Sequence, residues 1–192
     1  KKLSALRSGN ISVRHNNGFF ITPSGKKYSS LKVKDIVFVS LDGKYEKKYK
    51  PSSEWRFHQD IYVKKKDAQA IVHTHSTNAT ALSVHKKPIP AFHYMVALAG
   101  GNDIKCAKYA TYGTRELSKN ILKALNNRKA CLIANHGQIA FDKNLPDAFE
   151  LAQEVENLSL QYITALKLGK PKILSINEMN KVLKKAKNYK RG

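Results

Sequence analysis

The sequence has 192 residues and a formal net charge of +21, from 35 lysines and arginines against 14 aspartates and glutamates, and this length suits one domain, residues 1–192. The lysines are spread along the chain without interleaved aromatic residues, which argues against nucleic-acid binding and favours a surface that attracts phosphorylated metabolites. No apolar run reaches the length of a membrane span, and two cysteines in apolar surroundings, Cys106 and Cys131, predict reduced thiols in the cytoplasm.

The first predicted element is a β-hairpin, with strands at residues 11–14 and 19–21 around an Asn-Gly turn. Gly9-Asn10 precedes the first strand and Ser24-Gly25 follows the second, so the hairpin brings these two stretches together. Backbone amides and hydroxyls at such a junction can bind phosphate oxygens. The alternative is that both glycines are ordinary turn residues, and the residues alone leave this choice open.

A short strand at residues 36–39 precedes a helix that Ser52 or Ser53 is predicted to cap and that runs to about residue 66. The free amides at a helix N-terminus favour a phosphate beside these two hydroxyls. Glu54 falls in the first turn, where a carboxylate also stabilises a helix for ordinary reasons. His58 lies four residues further on the same face and is predicted as a hydrogen-bond partner of Glu54, not as a metal ligand.

Three histidines end apolar runs and form a candidate metal site. His73 and His75 follow residues 70–72 and point to the same face of a strand. His136 ends a second apolar run, at residues 132–136. A catalytic zinc ion takes three protein ligands and keeps one position open. A lone His-x-His is a weak signal, since two half-buried polar rings explain it better than a metal does. The third histidine and the serine-rich turn that carries Glu54 reverse that preference and favour a metal.

The remaining chain alternates helices and strands. Helices are predicted at residues 78–85, after Thr114, at 146–168 and after a capping box at 175–178, with strands at 131–134 and 139–141 flanking His136. Residues 92–96 are predicted as either extended or helical. Without any further information, Tyr94 is interpreted as an aromatic packing residue and Tyr189 as a solvated residue of the C-terminal tail. The pattern predicts an α/β fold, a single three-layer α/β/α domain with a mainly antiparallel central sheet.

Several motifs occur together and in order, and with them the chain resembles the class II aldolase/adducin family, most closely its fuculose-phosphate branch. His-x-His and His-Gly are shared by the whole family, whereas the segments at residues 52–58 and 93–95 are more specific to that branch. The matching residues are Ser8-Gly9-Asn10-Ile11-Ser12-Val13-Arg14, Thr22-Pro23-Ser24-Gly25, Pro51 to His58, His73-Thr74-His75, Ile89 to Met95, Ala110 to Leu117 and Asn135-His136-Gly137.

The resemblance implies one Zn²⁺ per subunit on His73, His75 and His136, and Glu54 as the acid–base group at the enediolate carbon. It implies that Tyr94 of a neighbouring subunit handles the proton on the aldehyde oxygen, in a homotetramer with shared active sites. A helix normally precedes the Gly-Asn motif, so the resemblance also implies that this helix is incomplete at residues 1–6. The implied phosphate-binding residues are Gly9, Asn10, Ser24, Gly25, Ser52 and Ser53, and the implied pocket aromatics are Tyr112 and Tyr189.

The expected function is reversible cleavage of L-fuculose-1-phosphate, or a closely related ketose-1-phosphate, to glycerone phosphate and L-lactaldehyde. An alternative function in the same fold is that of L-ribulose-5-phosphate 4-epimerase, but that branch carries Asp in place of Glu54. A methylthioribulose-1-phosphate dehydratase shares Glu54 and the histidines but lacks the Trp-Arg-Phe-His continuation. The non-enzyme alternative is an adducin-like scaffold, which is expected to have lost the metal ligands that this chain retains.

Overall fold

Seven strands form one sheet in the computed structural model of the chain, which describes residues 3, 4 and 7–189, without the side chains of 187–189. The strand order across the sheet is β3-β2-β1-β4-β7-β6-β5. The strands are β1 (Asn10–His15), β2 (Gly18–Ile21), β3 (Val37–Ser40), β4 (Ala70–Thr74), β5 (Cys106–Ala107), β6 (Ala130–Ile133) and β7 (Gly137–Asp142).

Antiparallel pairing dominates this sheet. Strand β4 lies at its centre and pairs antiparallel with β1 on one side and β7 on the other. The short strand β5 pairs parallel with β6, so the sheet is mixed. The predicted α/β class and mainly antiparallel sheet are confirmed, whereas β5 was not predicted.

The first hairpin forms with a different turn from the predicted one. His15 pairs with Gly18, so the two-residue loop is Asn16-Asn17 and Gly18 opens β2. Asn16 takes the left-handed conformation, with φ of 47°, which asparagine tolerates better than most residues. Gly18 is required for space instead, because a Cβ there would lie 2.5 Å from the carbonyl oxygen of Val39.

In the described part of the chain, three α-helices and three 3₁₀ helices lie between strands, and two further α-helices follow β7. The prediction that Ser52 or Ser53 caps the first helix is wrong, because Glu54 occupies the N-cap position. The undecided segment at 92–96 enters a 3₁₀ helix, Tyr94–Ala99. Thr114 and Ser175 accept hydrogen bonds at their predicted helix starts. The α-helices are α1 (Trp55–Lys64), α2 (Thr77–Ser83), α3 (Arg115–Ala124), α4 (Leu145–Lys167) and α5 (Ile176–Tyr189).

The core consists of two hydrophobic clusters on opposite faces of the sheet. Strand residues alternate between the clusters, as Ile71 does with Ala70 and Val72, because successive side chains of a strand point to opposite faces. Helices α1 and α3 supply one cluster and α2, α4 and α5 the other. The His58 side of α1 therefore faces the same side of β4 as Ile71.

Three further predictions concern the cysteines, the termini and membrane spans. Cys106 and Cys131 are free thiols, and burial raises the pKa of Cys106 to about 11. The predicted incomplete N-terminal helix falls on residues 1–6, and four of these lie outside the described residues. The side chain of Tyr189, which was predicted to line the pocket, also lies outside them. None of the helices in the described part of the chain has the length and apolar character needed to cross a membrane.

Candidate functional site

The three predicted metal ligands meet at one end of the central strands. His73 lies in β4, His75 follows it directly, and His136 lies in the turn between β6 and β7. The three ring centroids are 4.8–4.9 Å apart. The rings are steeply inclined to one another, at 70–87°, and the Nε2 atoms of His73 and His75 are 3.1 Å apart. The nitrogen atoms of all three rings therefore converge on one centre.

Two backbone features bring His136 to this position. Asn135 takes the left-handed conformation, with φ of 54°, and turns the chain between the strands. Gly137 lies so close to β4 that an added Cβ would be 2.3 Å from the Thr74 carbonyl oxygen and 3.3 Å from the His75 ring. A side chain at position 137 would therefore separate His136 from the end of β4.

Hydrogen bonding and burial prepare the imidazoles for a cation. The Nδ1 of His73 lies 2.8 Å from the Gln138 carbonyl oxygen, which can only accept, so Nδ1 donates this hydrogen bond and the ring directs Nε2 to the centre. Burial lowers the pKa of His75 to about 4, with further contributions from His73 and His136. The His75 ring is therefore neutral at neutral pH and has a lone pair to offer.

Glu54 contributes a carboxylate to the same centre. Its Oε2 lies 3.2 Å from His73 Nε2, and its Oε1 lies 3.1 Å from His136 Nε2. Although Oε1 is fully buried, it has no hydrogen bond of normal geometry to any described residue. Burial alone raises the pKa of Glu54, but the neighbouring His73 and His136 rings lower it by more, so the pKa lies well below its ordinary value and the carboxylate is ionised.

The four groups fit a metal ion by their chemistry. Three imidazole nitrogens and one carboxylate oxygen lie within 4.8 Å of one another, and this donor set is one that zinc and similar divalent ions accept. Oε1 is buried and makes no hydrogen bond of normal geometry to a described residue, although His136 Nε2 lies 3.1 Å away, and a cation at the centre would bind it. Glu54 thus joins the predicted histidines as a fourth potential ligand, in addition to its predicted acid–base role.

A cavity of about 340 Å³ opens beside this cluster, and all six predicted phosphate-binding residues line it. The segment at 22–24 runs alongside residues 50–52, since the Ser24 amide donates to the Lys50 carbonyl and the Ser52 amide donates to the Thr22 carbonyl. Gly9 lies against β4, where an added Cβ would be 2.5 Å from the His73 carbonyl oxygen. The end of the hairpin, the segment at 50–52 (the Ser52 turn) and β4 therefore form one wall of the cavity.

The polar groups of that wall are not equally available to a ligand. The Asn10 side chain is buried and donates from Nδ2 to Glu54 Oε2 over 2.9 Å. The Ser52 hydroxyl oxygen is also buried and accepts a hydrogen bond from the Glu54 amide. Ser53 is exposed to the cavity, so it offers the freer hydroxyl.

The predicted aromatic residues divide between two places. Tyr112 lines the cavity and is 66% exposed. Tyr94 is 54% exposed and does not line the cavity; it borders a separate, mostly apolar groove with residues that include Met95, Leu98 and Val182. Within one chain, Tyr94 is therefore not part of the site around Glu54.

Sequence reasoning missed several residues that line the cavity, chiefly Arg7, Tyr109 and Asn135. Arg7 donates to the Gly25 carbonyl oxygen over 3.0 Å and, of the described residues that line the cavity, is the one arginine or lysine. The position of Arg7 just before the Gly9-Asn10 motif could have identified it as a cavity residue from the sequence. Tyr109 precedes Tyr112 by three residues, and this spacing was the signal for a second cavity aromatic.

Sequence comparisons link the chain to known proteins over most of its length. The family model "Class II Aldolase and Adducin N-terminal domain" matches residues 1–163. A 5-methylthioribulose-1-phosphate/5-deoxyribulose-1-phosphate aldolase from Rhodospirillum rubrum is 51% identical over 182 residues, covering 95% of this chain and 82% of that protein. An L-fuculose phosphate aldolase from Escherichia coli is 50% identical over 183 residues, covering 95% of this chain and 85% of that protein.

Solved structures of two similar proteins share the fold. One, an L-fuculose 1-phosphate aldolase, superposes with a TM-score of 0.93 at 41% identity, covering 97% of this chain and 89% of that one. The other, an L-fuculose-1-phosphate aldolase from Thermus thermophilus, gives a TM-score of 0.76 at 26% identity, covering 90% and 91% of the two chains.

Proposed function

The chain belongs to the class II aldolase and adducin family and is a lyase of the aldolase type, and we propose that it is a zinc-dependent enzyme that cleaves a ketose-1-phosphate to glycerone phosphate and an aldehyde. The observation that carries this proposal is one cavity that joins the Glu54 and histidine cluster to a wall of small and hydroxyl residues. Such a cavity accommodates a phosphate at one end and a reacting carbon at the other. Its expected location is the cytoplasm.

The reaction breaks the bond between C3 and C4 of the ketose. The electron pair of that bond stays on C3, the C4 hydroxyl loses its proton to become the aldehyde, and C3 gains a proton to become part of glycerone phosphate. Glu54 is the group that gives C3 its proton in cleavage and removes it in synthesis. Its burial next to the histidines keeps bulk water away from this transfer.

His73, His75 and His136 are the residues that would hold the metal, with Glu54 as a further ligand before substrate binds. When bound, the metal supplies positive charge that stabilises the negative charge developing on the substrate oxygens. The chain itself fixes the histidines through the Gln138 carbonyl and the close approach of Gly137. The three-ring geometry is therefore built before any ligand arrives.

Three sugar phosphates are the leading candidate substrates. L-fuculose-1-phosphate follows from the 50% identical relative, with L-lactaldehyde as the second product. 5-Methylthioribulose-1-phosphate and 5-deoxyribulose-1-phosphate follow from the 51% identical relative, which is an aldolase and not the dehydratase considered from the sequence alone. The phosphate and the first three carbons are common to these substrates, so they differ at the aldehyde end.

A coupled assay for glycerone phosphate tests the proposal. The purified protein, loaded with Zn²⁺, is given each of the three ketose phosphates and, as a control, unphosphorylated L-fuculose. Release of glycerone phosphate from at least one phosphorylated ketose, with little from the control, is expected. No release from any of them, with the metal bound, would contradict the proposed function, and the ratio of kcat/KM values identifies the preferred substrate.

Replacing Ser53 by alanine is expected to raise KM for the ketose phosphate by about 10-fold, because a hydrogen bond to a charged group is worth about 1.5–3 kcal/mol. Metal content and kcat are expected to change little, since Ser53 is exposed and contacts none of the histidines. Ser30→Ala, at an exposed serine outside the cavity, is the matched control. An unchanged KM for Ser53→Ala would show that the phosphate binds elsewhere.

We also propose that the enzyme is a homotetramer in which Tyr94 reaches the site of a neighbouring subunit and handles the proton on the aldehyde oxygen. Support comes from the position of Tyr94, which is 54% exposed, lies outside the Glu54 cavity and adjoins an apolar groove. An aromatic residue on an apolar surface is a common feature of protein interfaces. Tyr112 already lines the cavity within the chain and needs no partner to do so.

Mixing two inactive variants, Tyr94→Phe and Glu54→Gln, is expected to restore activity after dissociation and reassembly. If each site combines Glu54 of one subunit with Tyr94 of the next, about a quarter of the sites in a random 1:1 mixture carry both intact groups. The assay is glycerone phosphate release, with each variant reassembled alone as the control. Absence of recovery in oligomers verified as mixed, or full activity of a monomer, would exclude the shared site.

A further inference from the structure

A line of buried polar side chains extends from Glu54 into the core, away from the cavity. Asn10 and Ser12 come from β1, and His58 and Tyr62 come from the face of α1 that packs on the sheet. The side chains contact one another in the order Glu54, Asn10, His58, Ser12 and Tyr62. All five residues are at most 6% exposed.

The direction of each hydrogen bond in this line follows from what each atom can do. Asn10 Nδ2 donates to Glu54 Oε2 over 2.9 Å, because a carboxylate oxygen can only accept. The other amide atom, Asn10 Oδ1, then faces His58 Nε2 and accepts a hydrogen bond from it. The reverse amide orientation would place a carbonyl oxygen against the carboxylate with no proton between them.

The tautomer of His58 is fixed by the same reasoning. Since Nε2 carries the proton, Nδ1 of the neutral ring accepts from the Ser12 hydroxyl, 2.7 Å away. The Ser12 oxygen then accepts from the Tyr62 hydroxyl over 2.8 Å. Burial, together with a smaller effect of His73, lowers the pKa of His58 to about 3, so the neutral ring is the form present at neutral pH.

We propose that His58 is a positioning residue, which holds the Asn10 amide against Glu54 Oε2 and so fixes the orientation of the carboxylate, with Oε1 beside His136. Oε1 has no hydrogen bond of normal geometry within the described part of the chain, whereas Oε2 accepts one from Asn10. A rotation of the carboxylate away from Asn10 would remove that acceptor and leave the buried amide unpaired. This inference rests on the proposed acid–base function of Glu54.

An ordinary core role explains His58 less well. The ring is fully buried and stacks with Phe57, at 4.8 Å between centroids, and with Phe19, at 6.5 Å. An apolar ring would fill such a place without the cost of burying polar nitrogens. Both His58 nitrogens are instead used, one toward Asn10 and one toward Ser12, so the position depends on the hydrogen bonds as well as on the volume.

Two variants of His58 separate positioning from packing. His58→Phe keeps the ring volume but loses both hydrogen bonds, and is expected to lower kcat by about 10–100-fold, because small displacements of a reacting group are costly. KM for the ketose phosphate is expected to stay within about threefold, with one metal ion per chain retained. His58→Gln, whose amide can again donate to Asn10, is expected to restore most of kcat. His85→Gln, at an exposed histidine, is the matched control.

Nitrogen NMR of histidine-labelled, Zn²⁺-loaded protein at pH 7 gives a readout that needs no substrate. His58 is expected to show a proton on Nε2 and none on Nδ1. The opposite tautomer would overturn the proposal, as would unchanged kcat in His58→Phe or equal losses in the Phe and Gln variants. If His58→Phe does not fold, the kcat of the Gln variant and the tautomer of His58 test the proposal. If the wild-type protein cleaves no ketose phosphate, the proposed function fails, and the tautomer still tests the hydrogen-bond order.

Discussion

Replacement of Glu54 by glutamine is expected to lower kcat by about 10²–10⁴-fold, the usual contribution of general acid–base catalysis. Glutamine has nearly the same shape and can still accept the Asn10 hydrogen bond, but it cannot take up or release a proton at neutral pH. The metal is expected to remain, because three histidines are enough to hold it. Steady-state assay and metal analysis of the same sample measure both effects.

The control for this variant is Glu46→Gln, at an exposed carboxylate in the loop before the Ser52 turn. It removes the same charge and is expected to leave kcat unchanged. Turnover of the Glu54 variant close to that of the wild type would remove Glu54 from the mechanism. Loss of the metal from that variant would instead show that Glu54 acts chiefly as a ligand.

Removal of the metal is expected to lower kcat/KM by at least about 10³-fold, because a metal supplies several kcal/mol of charge stabilisation. Chelation should release one ion per chain, and stoichiometric Zn²⁺ should restore activity. His136→Ala should have the same effect irreversibly, since it removes the one ligand that comes from the β6–β7 turn. Metal analysis measures the number of ions bound per chain, and the glycerone phosphate assay measures kcat/KM on the same samples.

His85→Ala is the matched control for the metal prediction, because His85 is exposed and outside the cluster. This variant is expected to keep both the ion and the activity. Full activity after complete chelation would exclude a metal-dependent reaction. Anomalous scattering from a bound ion away from His73, His75 and His136 would contradict the proposed ligands.

The sequence was sufficient to predict that His73, His75 and His136 converge, because these residues carry a local signal. Apolar runs that end in histidine predict buried strands whose ends meet, and β4 and the β6–β7 turn have that arrangement. The first hairpin was also predictable, because its strands are close together in the sequence. What failed there was the turn, which is Asn16-Asn17 and not the predicted Asn-Gly.

The parts that could not be predicted depend on contacts between distant residues. Strand β5 has two residues, too few to show any periodicity, and it exists because β6 lies beside it. The Asn10 amide is turned from the predicted phosphate site by Glu54 and His58, which lie 44 and 48 residues away. Glu54, His58 and Tyr62 recur every four residues on one helix face, a polar stripe that was visible in the sequence.

The central place of β4 also determines the order in which the chain can fold. The β1–β2 and β6–β7 hairpins close short loops, whereas β4 must pair with partners about sixty residues away on each side. Local pairings form faster than distant ones. We therefore expect the two hairpins to form first and β4 to join them last. His73 and His136 come together only in that final step, so a refolding chain would bind the proposed metal ion only when the sheet is complete.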